Sequence, residues 1–271
     1  MLKQSILNSL CLTGVSSTIS HIFGIDEPIY ASNSLKEITQ LTDKYFNGEK
    51  ADRVLIYNPD AIALWLFQKY TEFFGEIFKH TQIGLPVISV MPSVTPVCFA
   101  SMYTGAMPEI HGIKAYEKPV LRTDTLFDAL IRSGKRLAII STANDSISMI
   151  FLEREMDYYI YDTTEECLQK ALELIEQDKH ELIVLYDRRY DATMHRFSPE
   201  SEESLKVLKQ VINSFATIAK ATEKIWAKHN TVIGFLTDHG CHEIDGKLGS
   251  HGLDMPEDMN VIHFYGFQPK R

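Results

Sequence analysis

No stretch of the chain approaches the roughly 18 consecutive apolar residues that a membrane span requires, because Gln, Ser, Asn, Lys or His interrupts every hydrophobic run. A transmembrane helix is therefore not expected, and a membrane partner drops out with it. Cysteine is scarce. Cys11, Cys98, Cys167 and Cys241 are scattered without a Cys-x-x-Cys pair, so neither a zinc ribbon nor a disulfide framework is suggested, and the thiols read as reduced ones of a cytoplasmic protein. Positive charge is also short. The 27 Lys and Arg against 36 Asp and Glu give a formal charge of -9 with no basic run, which disfavours a nucleic acid polymer as partner. Residues 1–24 carry one early lysine and a mildly apolar middle that Asn8, Ser9, Thr13, Ser16 and Ser17 dilute, so a cleaved secretory signal is the less favoured reading of them. Proline-rich linkers, low-complexity tracts and internal repeats are missing as well.

What is present is a chain of 271 residues with 45% hydrophobic content, enough to bury a core without staples. From position 53 onward, short β-branched runs alternate with longer helical patterns, the signature of βαβ units. The expected strands are Arg53 to Asn58, Leu85 to Met91, Arg136 to Ser141, Asp157 to Tyr161, Glu181 to Asp187, Thr231 to Thr237 and Asn260 to Gly266. Thr163-x-x-Glu166 is a capping box opening one helix, and Ser198-Pro199 predicts the start of a longer one. Its apolar stripe runs Leu208, Val211, Ile212, Phe215, Ile218, Ala219, Ile225 and Trp226. The aromatics Trp65, Phe67, Tyr70, Phe73, Phe74 and Phe78 read as a buried helix face. The fold class is α/β: one domain over 51–271, a mostly parallel central sheet of six or seven strands with helices on both faces. Residues 1–50 are expected to form a helical segment packed on that domain or on a second subunit, so a homo-oligomer is allowed.

In open parallel sheets ligands bind beyond the carboxyl ends of the strands. Asp60, Thr95, the pair Asp191 and His195, and the pair Asp238 and His239 each follow an expected strand, and His251 lies in the loop after the Thr231 strand. Three aspartates and three histidines suit two divalent metals, zinc by ligand type with manganese as the alternative. Two such ions can clamp the attacking and leaving oxygens of a displacement at phosphorus. Ten histidines spread evenly would put about half of one between 238 and 252, yet His239, His242 and His251 all fall there. The competing reading of that segment is a solvated polar loop.

Thr95 precedes Pro96 and an apolar segment that Gly105 ends, so it reads as an N-cap with proline at the first helical position. A hydroxyl at that positive helix end is placed to meet a phosphate, and a nearby cation would lower its pKa. The competing reading is a structural cap. Asp187 rivals Asp191, being nearer its strand end, but only Asp191 has four-residue spacing to His195.

The segment from Thr95 through Thr104-Gly105, followed by Pro108-Glu109-Ile110-His111-Gly112-Ile113, resembles the nucleophile region of the nucleotide pyrophosphatase/phosphodiesterase branch of the alkaline phosphatase superfamily. Asp191-x-x-x-His195, Thr237-Asp238-His239-Gly240 and Ser250-His251-Gly252 follow in the order and rough spacing of that family. The resemblance implies one metal on Asp191, His195 and His251, a second on Asp60, Asp238 and His239, and a phosphoric ester hydrolase acting on a small phosphate ester through a phosphothreonine at Thr95. Two departures stand out. Asn58-Pro59-Asp60-Ala61 replaces the usual Asp-Gly, and Cys98 replaces an asparagine that donates to a phosphate oxygen in relatives cleaving nucleotide diesters. No Cys-x-Pro-x-Arg sulfatase motif is present. About 85 residues separate His111 from His195, too few for a large cap domain as well as the expected strands and helices. Alternatives are a phosphomutase or phosphonate hydrolase of the same superfamily, or a member that binds ligand without turnover. His111 and His263 are expected to be structural, and His242 to contact substrate, to stack on a metal ligand or to be a surface residue.

Overall fold

The computed structural model describes residues 7–271, so the first six residues of the expected N-terminal segment lie outside the described residues. Among the described residues there are nine strands: β1 Arg53–Pro59, β2 Ile83–Ile88, β3 Leu137–Thr142, β4 Asp157–Tyr161, β5 Leu182–Asp187, β6 Thr231–Leu236, β7 His242–Ile244, β8 Leu248–Ser250 and β9 Asn260–Gln268. Seven of them make one sheet in the order β2-β9-β6-β1-β5-β3-β4, and β7 pairs with β8 as a separate hairpin. β9 runs antiparallel to both β6 and β2, while every other pairing in the large sheet is parallel. Each expected strand is there, within a few residues of its bounds. The hairpin carries no alternating apolar signal and is legible only in the fold.

The central strands are buried on both faces, as near-continuous Val, Ile and Leu runs require in a sheet covered by helices. Val54 and Ile56 of β1 face one core, which includes Phe99, Tyr103 and Phe127, while Leu55 and Tyr57 face the other, which includes Leu208, Phe215 and Phe235. The alternation follows from the two-residue period of a strand. β2 lies at a sheet edge, where Pro86 can be accommodated, and the N-terminal segment covers it: Ile88 N–H donates to Leu10 O at 2.6 Å and Leu12 N–H to Ile88 O at 3.0 Å. Helix Gly14–Phe23 then packs on helices Thr95–Thr104 and Leu126–Arg132, with Val15, Ile19 and Ile22 in the first core.

The capping box forms as expected: Thr163 Oγ1 accepts from Glu166 N–H and Glu166 Oε2 accepts from Thr163 N–H. The long helix spans Glu202–Ile225 and begins later than Ser198-Pro199 predicts, with Ser201 as its N-cap. The reason is local. Pro199 O is held by the Tyr190 hydroxyl at 2.9 Å and Ser201 N–H turns back to Ser198 O, so residues 198–201 form a turn packed on the preceding helix. Among the described residues no helix is long and apolar enough to cross a membrane.

Candidate active site

β1, β5 and β6 are adjacent and parallel, with Pro59 opposite Asp187 and Tyr57 opposite Phe235. Their carboxyl ends therefore deliver Asp60, the Asp191–His195 turn and Asp238-His239 to one edge. Asp191 and His195 sit one helical turn apart across helix Arg189–Met194 and its C-cap, which puts both side chains on one face. The β7–β8 hairpin returns the chain so that His251 joins them. Gly249 permits this: a Cβ there would meet Met194 O at 2.7 Å.

The six residues form two groups, Asp191 with His195 and His251, and Asp60 with Asp238 and His239, each with its ligand atoms within 4.8 Å of one another. His195 Nε2 lies 3.2 Å and His251 Nε2 3.5 Å from Asp191 Oδ1. In the second group His239 Nε2 lies 3.3 Å from Asp60 Oδ1 and 3.4 Å from Asp238 Oδ2. Each imidazole has its Nδ1 at 2.9 Å from a backbone carbonyl: Gly249 for His195, Gly240 for His239 and Ser93 for His251. Nδ1–H donating to those carbonyls leaves a lone pair on each Nε2, aimed at carboxylate oxygens. Asp60 Oδ1, Asp191 Oδ1 and Asp238 Oδ2 are buried with no hydrogen-bond partner. Buried acceptors facing acceptors are costly unless a cation lies between them. The donor set thus fits two divalent ions with nitrogen and oxygen ligands.

Burial is the largest influence on four of these groups. Burial, then the charges of Asp238 and Asp191, push the Asp60 carboxyl well above the usual carboxylate range, and burial raises Asp238 too. For Asp191 burial acts upward, but His195, His251 and His239 outweigh it and bring the group below its ordinary value. Burial, then the neighbouring His239, lowers His251 to about 3.

Thr95 is the first residue of helix Thr95–Thr104, one place inside the expected N-cap, because the Val94 carbonyl accepts from Val97 and Cys98 and so caps the helix itself. Its hydroxyl lies 3.3 Å from His239 Nε2 and 3.5 Å from Asp60 Oδ2. Ala61 shows why glycine is favoured after Asp60: its φ is 64°, left-handed backbone that costs alanine about 1 kcal/mol. Here Ala61 N–H donates to Asp238 Oδ1 at 3.3 Å and Ile62 N–H to Thr237 Oγ1 at 3.0 Å, which ties the turn to the end of β6.

Cys98 is fully buried with Sγ 3.1 Å from Ser89 Oγ. Burial pushes its thiol well up. Asp187 is brought elsewhere, into a buried pair with Arg189 and the Tyr57 hydroxyl. His111 is held by Ser101 Oγ at 2.8 Å, and His263 Nε2–H donates to Thr237 O at 2.8 Å. His242 bonds Asp258 at 2.8 Å, and Asp258 in turn accepts from Leu253 N–H, which fixes the loop after His251. Sequence reasoning missed Tyr186, whose hydroxyl donates to Asp60 Oδ2, along with Asp258 and the Ser93 carbonyl. No spacing marks any of the three: Tyr186 and Ser93 meet partners 126 and 158 residues away, and Asp258 is joined to His242 only through the loop between them.

The sequence pattern described as type I phosphodiesterase / nucleotide pyrophosphatase matches residues 57–129 and 141–262. No curated protein matches the chain. Similar solved structures include human ectonucleotide pyrophosphatase / phosphodiesterase 5, at 14% identity over 81% of this chain and 90% of that one, TM-score 0.62. Another is an inactive form of the murine protein in complex with AMP, at 19% identity over 72% of this chain and 58% of that one, TM-score 0.58. A third is phosphonoacetate hydrolase from Sinorhizobium meliloti 1021 in complex with phosphonoformate, at 17% identity over 72% of this chain and 59% of that one, TM-score 0.52. The chain spans less than two thirds of the murine and Sinorhizobium chains. At these identities the likeness speaks for the fold, the alkaline-phosphatase-like α/β sheet.

Proposed function

From the site, and from the chain's membership of the type I phosphodiesterase / nucleotide pyrophosphatase family, we propose a two-metal phosphoric ester hydrolase whose nucleophile is Thr95. Asp191, His195 and His251 would hold one divalent ion, and Asp60, Asp238 and His239 the other, with zinc favoured by the mixed imidazole and carboxylate donors. When bound, the two ions lower the pKa of the threonine hydroxyl and neutralise charge on the phosphoryl oxygens.

The chain's own residues set the rest. Thr95 Oγ1 gives up its proton, which ends on the leaving oxygen, and forms a bond to phosphorus as the bond to that oxygen breaks. Water then attacks the phosphothreonine, the bond from Thr95 Oγ1 to phosphorus breaks, and the proton lost by the water restores the hydroxyl. Two in-line displacements retain configuration at phosphorus. Tyr186 holds Asp60 through a hydrogen bond, and the three backbone carbonyls hold the imidazoles. These contacts keep the constellation in place without the substrate.

The observation that carries the proposal is the set of three buried carboxylate oxygens without hydrogen-bond partners, one from each aspartate, with the Thr95 hydroxyl 3.3 Å from His239 Nε2. Metal content of protein purified without chelator, with turnover of p-nitrophenyl phosphate and bis-p-nitrophenyl phosphate by wild type and Thr95→Ala, tests it. About two metals per chain and turnover lost in the variant are expected. Metal-free protein, or turnover indifferent to Thr95, overturns the mechanism.

A further inference from the structure

A cleft opens over Thr95, Asp191, His195 and His251, and a smaller pit adjoins it. Thr95, Tyr116, Arg188 and Asp191 line both, so a phosphorus held about 3–3.5 Å from Thr95 Oγ1 for attack would lie where the two meet. Charge builds on its oxygens during the displacement and calls for fixed donors. The helix that Thr95 opens supplies few. Pro96 has no N–H, the N–H groups of Val97 and Cys98 both donate to Val94 O, at 3.1 and 3.0 Å, and the Cys98 thiol is buried against Ser89. Of that first turn, the Thr95 N–H alone is uncommitted among the described residues. Lys118, in the wall of the pit, donates to Asn144 O at 2.7 Å.

Arg188 is better placed. Asp187 closes β5 and turns to the Tyr57 hydroxyl, while its neighbours Tyr186 and Arg188 both line the pit. β3 runs beside β5, and the turn after β3 brings up Asp145, so that Arg188 Nη1 lies 3.3 Å from Asp145 Oδ1. That carboxylate is 4% exposed. Its other oxygen accepts from Thr142 N–H and from the Thr142 and Ser141 hydroxyls, which hold it in place. The pair with Asp145 is the one ion pair Arg188 makes among the described residues, and its side chain is half-exposed. A guanidinium has five N–H donors, and those on Nε and Nη2 have no partner among the described residues. A buried carboxylate therefore fixes the direction of a cation whose remaining donors are free beside the nucleophile.

We propose that Arg188 is a catalytic residue that donates to a non-bridging phosphoryl oxygen as Thr95 attacks, and that Asp145 is the residue that positions it. The inference rests on the hydrolase reading and adds a charge-assisted donor to it. Monoesters and diesters both carry a non-bridging oxygen, so the contact serves either.

The test is kcat/KM for p-nitrophenyl phosphate and bis-p-nitrophenyl phosphate on metal-loaded protein, together with calorimetric titration of orthovanadate, whose adduct imitates the transition state, and of inorganic phosphate. Arg188→Gln is expected to lose about 100-fold with whichever ester the wild type turns over, and to weaken vanadate binding more than phosphate binding. Arg188→Lys keeps part of the rate, and added guanidinium chloride restores part of it to Arg188→Ala. Asp145→Asn should cost about 10-fold in the wild type and nothing further in Arg188→Gln, because a residue that acts through another has no effect once the other is gone. Additive losses would remove Asp145 from the positioning role. Arg122→Gln, in the exposed pair with Glu153, is the control and should leave the rate alone. Melting temperatures and metal content show that each variant is folded and loaded. An Arg188→Gln variant that keeps the wild-type rate, or loses rate with vanadate affinity unchanged and no guanidinium response in Arg188→Ala, overturns the proposal and leaves the hydrolase reading standing. So does loss of metal in Arg188→Gln, which would assign the residue to the Asp191 group instead. A wild type inert towards both esters overturns the hydrolase reading, and the vanadate titration still decides the contact, since equal affinity in wild type and Arg188→Gln sinks it.

Discussion

His239 and His251 stack face to face, with ring centroids 3.9 Å apart and planes 22° from parallel, although they belong to different ligand groups. The rings are also held independently, through Gly240 O and Ser93 O. One rigid wall therefore serves both groups, and it links the end of β6 to the loop before Thr95.

Replacing one ring should disturb both groups. His251→Ala is expected to lose the ion of its own group and to weaken retention at the Asp60 group about 10-fold, the scale seen when a ligand's support is removed. Metal content after competition with a graded series of chelators measures this. Full retention at the Asp60 group would show that the stack does not couple the two.

Metal removal should lower stability, because unpartnered buried carboxylate oxygens are left facing imidazole lone pairs. At an ion concentration 100 times its dissociation constant, the gain from one site is about 2.7 kcal/mol. For a chain of this length that corresponds to a melting shift of roughly 5–10 °C. Calorimetry with and without chelator reads it, and coincident transitions would count against a cation in either group.

Asp187 and Asp191 stand four residues apart and should respond in opposite ways. Asp187→Asn leaves Arg189 and the Tyr57 hydroxyl without their buried charge partner, a loss of about 3–5 kcal/mol, with metal content unchanged. Asp191→Asn should lose metal at little cost to the fold of the metal-free protein. Urea unfolding and metal content, measured on both variants, separate the roles.

The buried His263 should give the stability a pH dependence below neutrality. Burial lowers its pKa from 6.5 to about 4, so above pH 6.5 the ring is neutral folded or unfolded. As pH falls from there to about 4, the unfolded chain takes up a proton that the folded one refuses, and stability declines by roughly 3 kcal/mol in all. His263→Gln, which keeps a donor for Thr237 O, should have a shallower decline between pH 6.5 and 4 by urea unfolding. Parallel curves for variant and wild type would disprove the assignment.

Sequence alone gave access to the strands of the large sheet because each is a β-branched run bounded by polar turns, a pattern that the two-sided burial of central strands imposes. Spacing also pairs Asp191 with His195, one helix turn apart, and Asp238 with His239, which are consecutive, while the division of all six residues into two groups was expected only from the family resemblance. The β7–β8 hairpin was not legible, because its six paired residues carry no periodic signal. The start of the long helix was misplaced because Ser198-Pro199 is a sound local start, and the Tyr190 hydroxyl of the preceding helix, holding Pro199 O, overrides it.

What the sequence by itself determined is therefore the chemistry available and the order in which it appears: a threonine opening a helix, three aspartates and three histidines after strands, and an alternating pattern that can close only into a mostly parallel sheet. What only the tertiary structure decided is which atoms meet. The pairing of β1 with β5 and β6 sets Asp60 beside Asp238, the Tyr186 hydroxyl reaches Asp60 across 126 residues, Cys98 turns to Ser89, and Arg188 comes to line one pit with Lys118. Local spacing fixes neighbours within a turn or two of helix, but contacts between distant segments depend on strand register and on core packing, which belong to the whole chain.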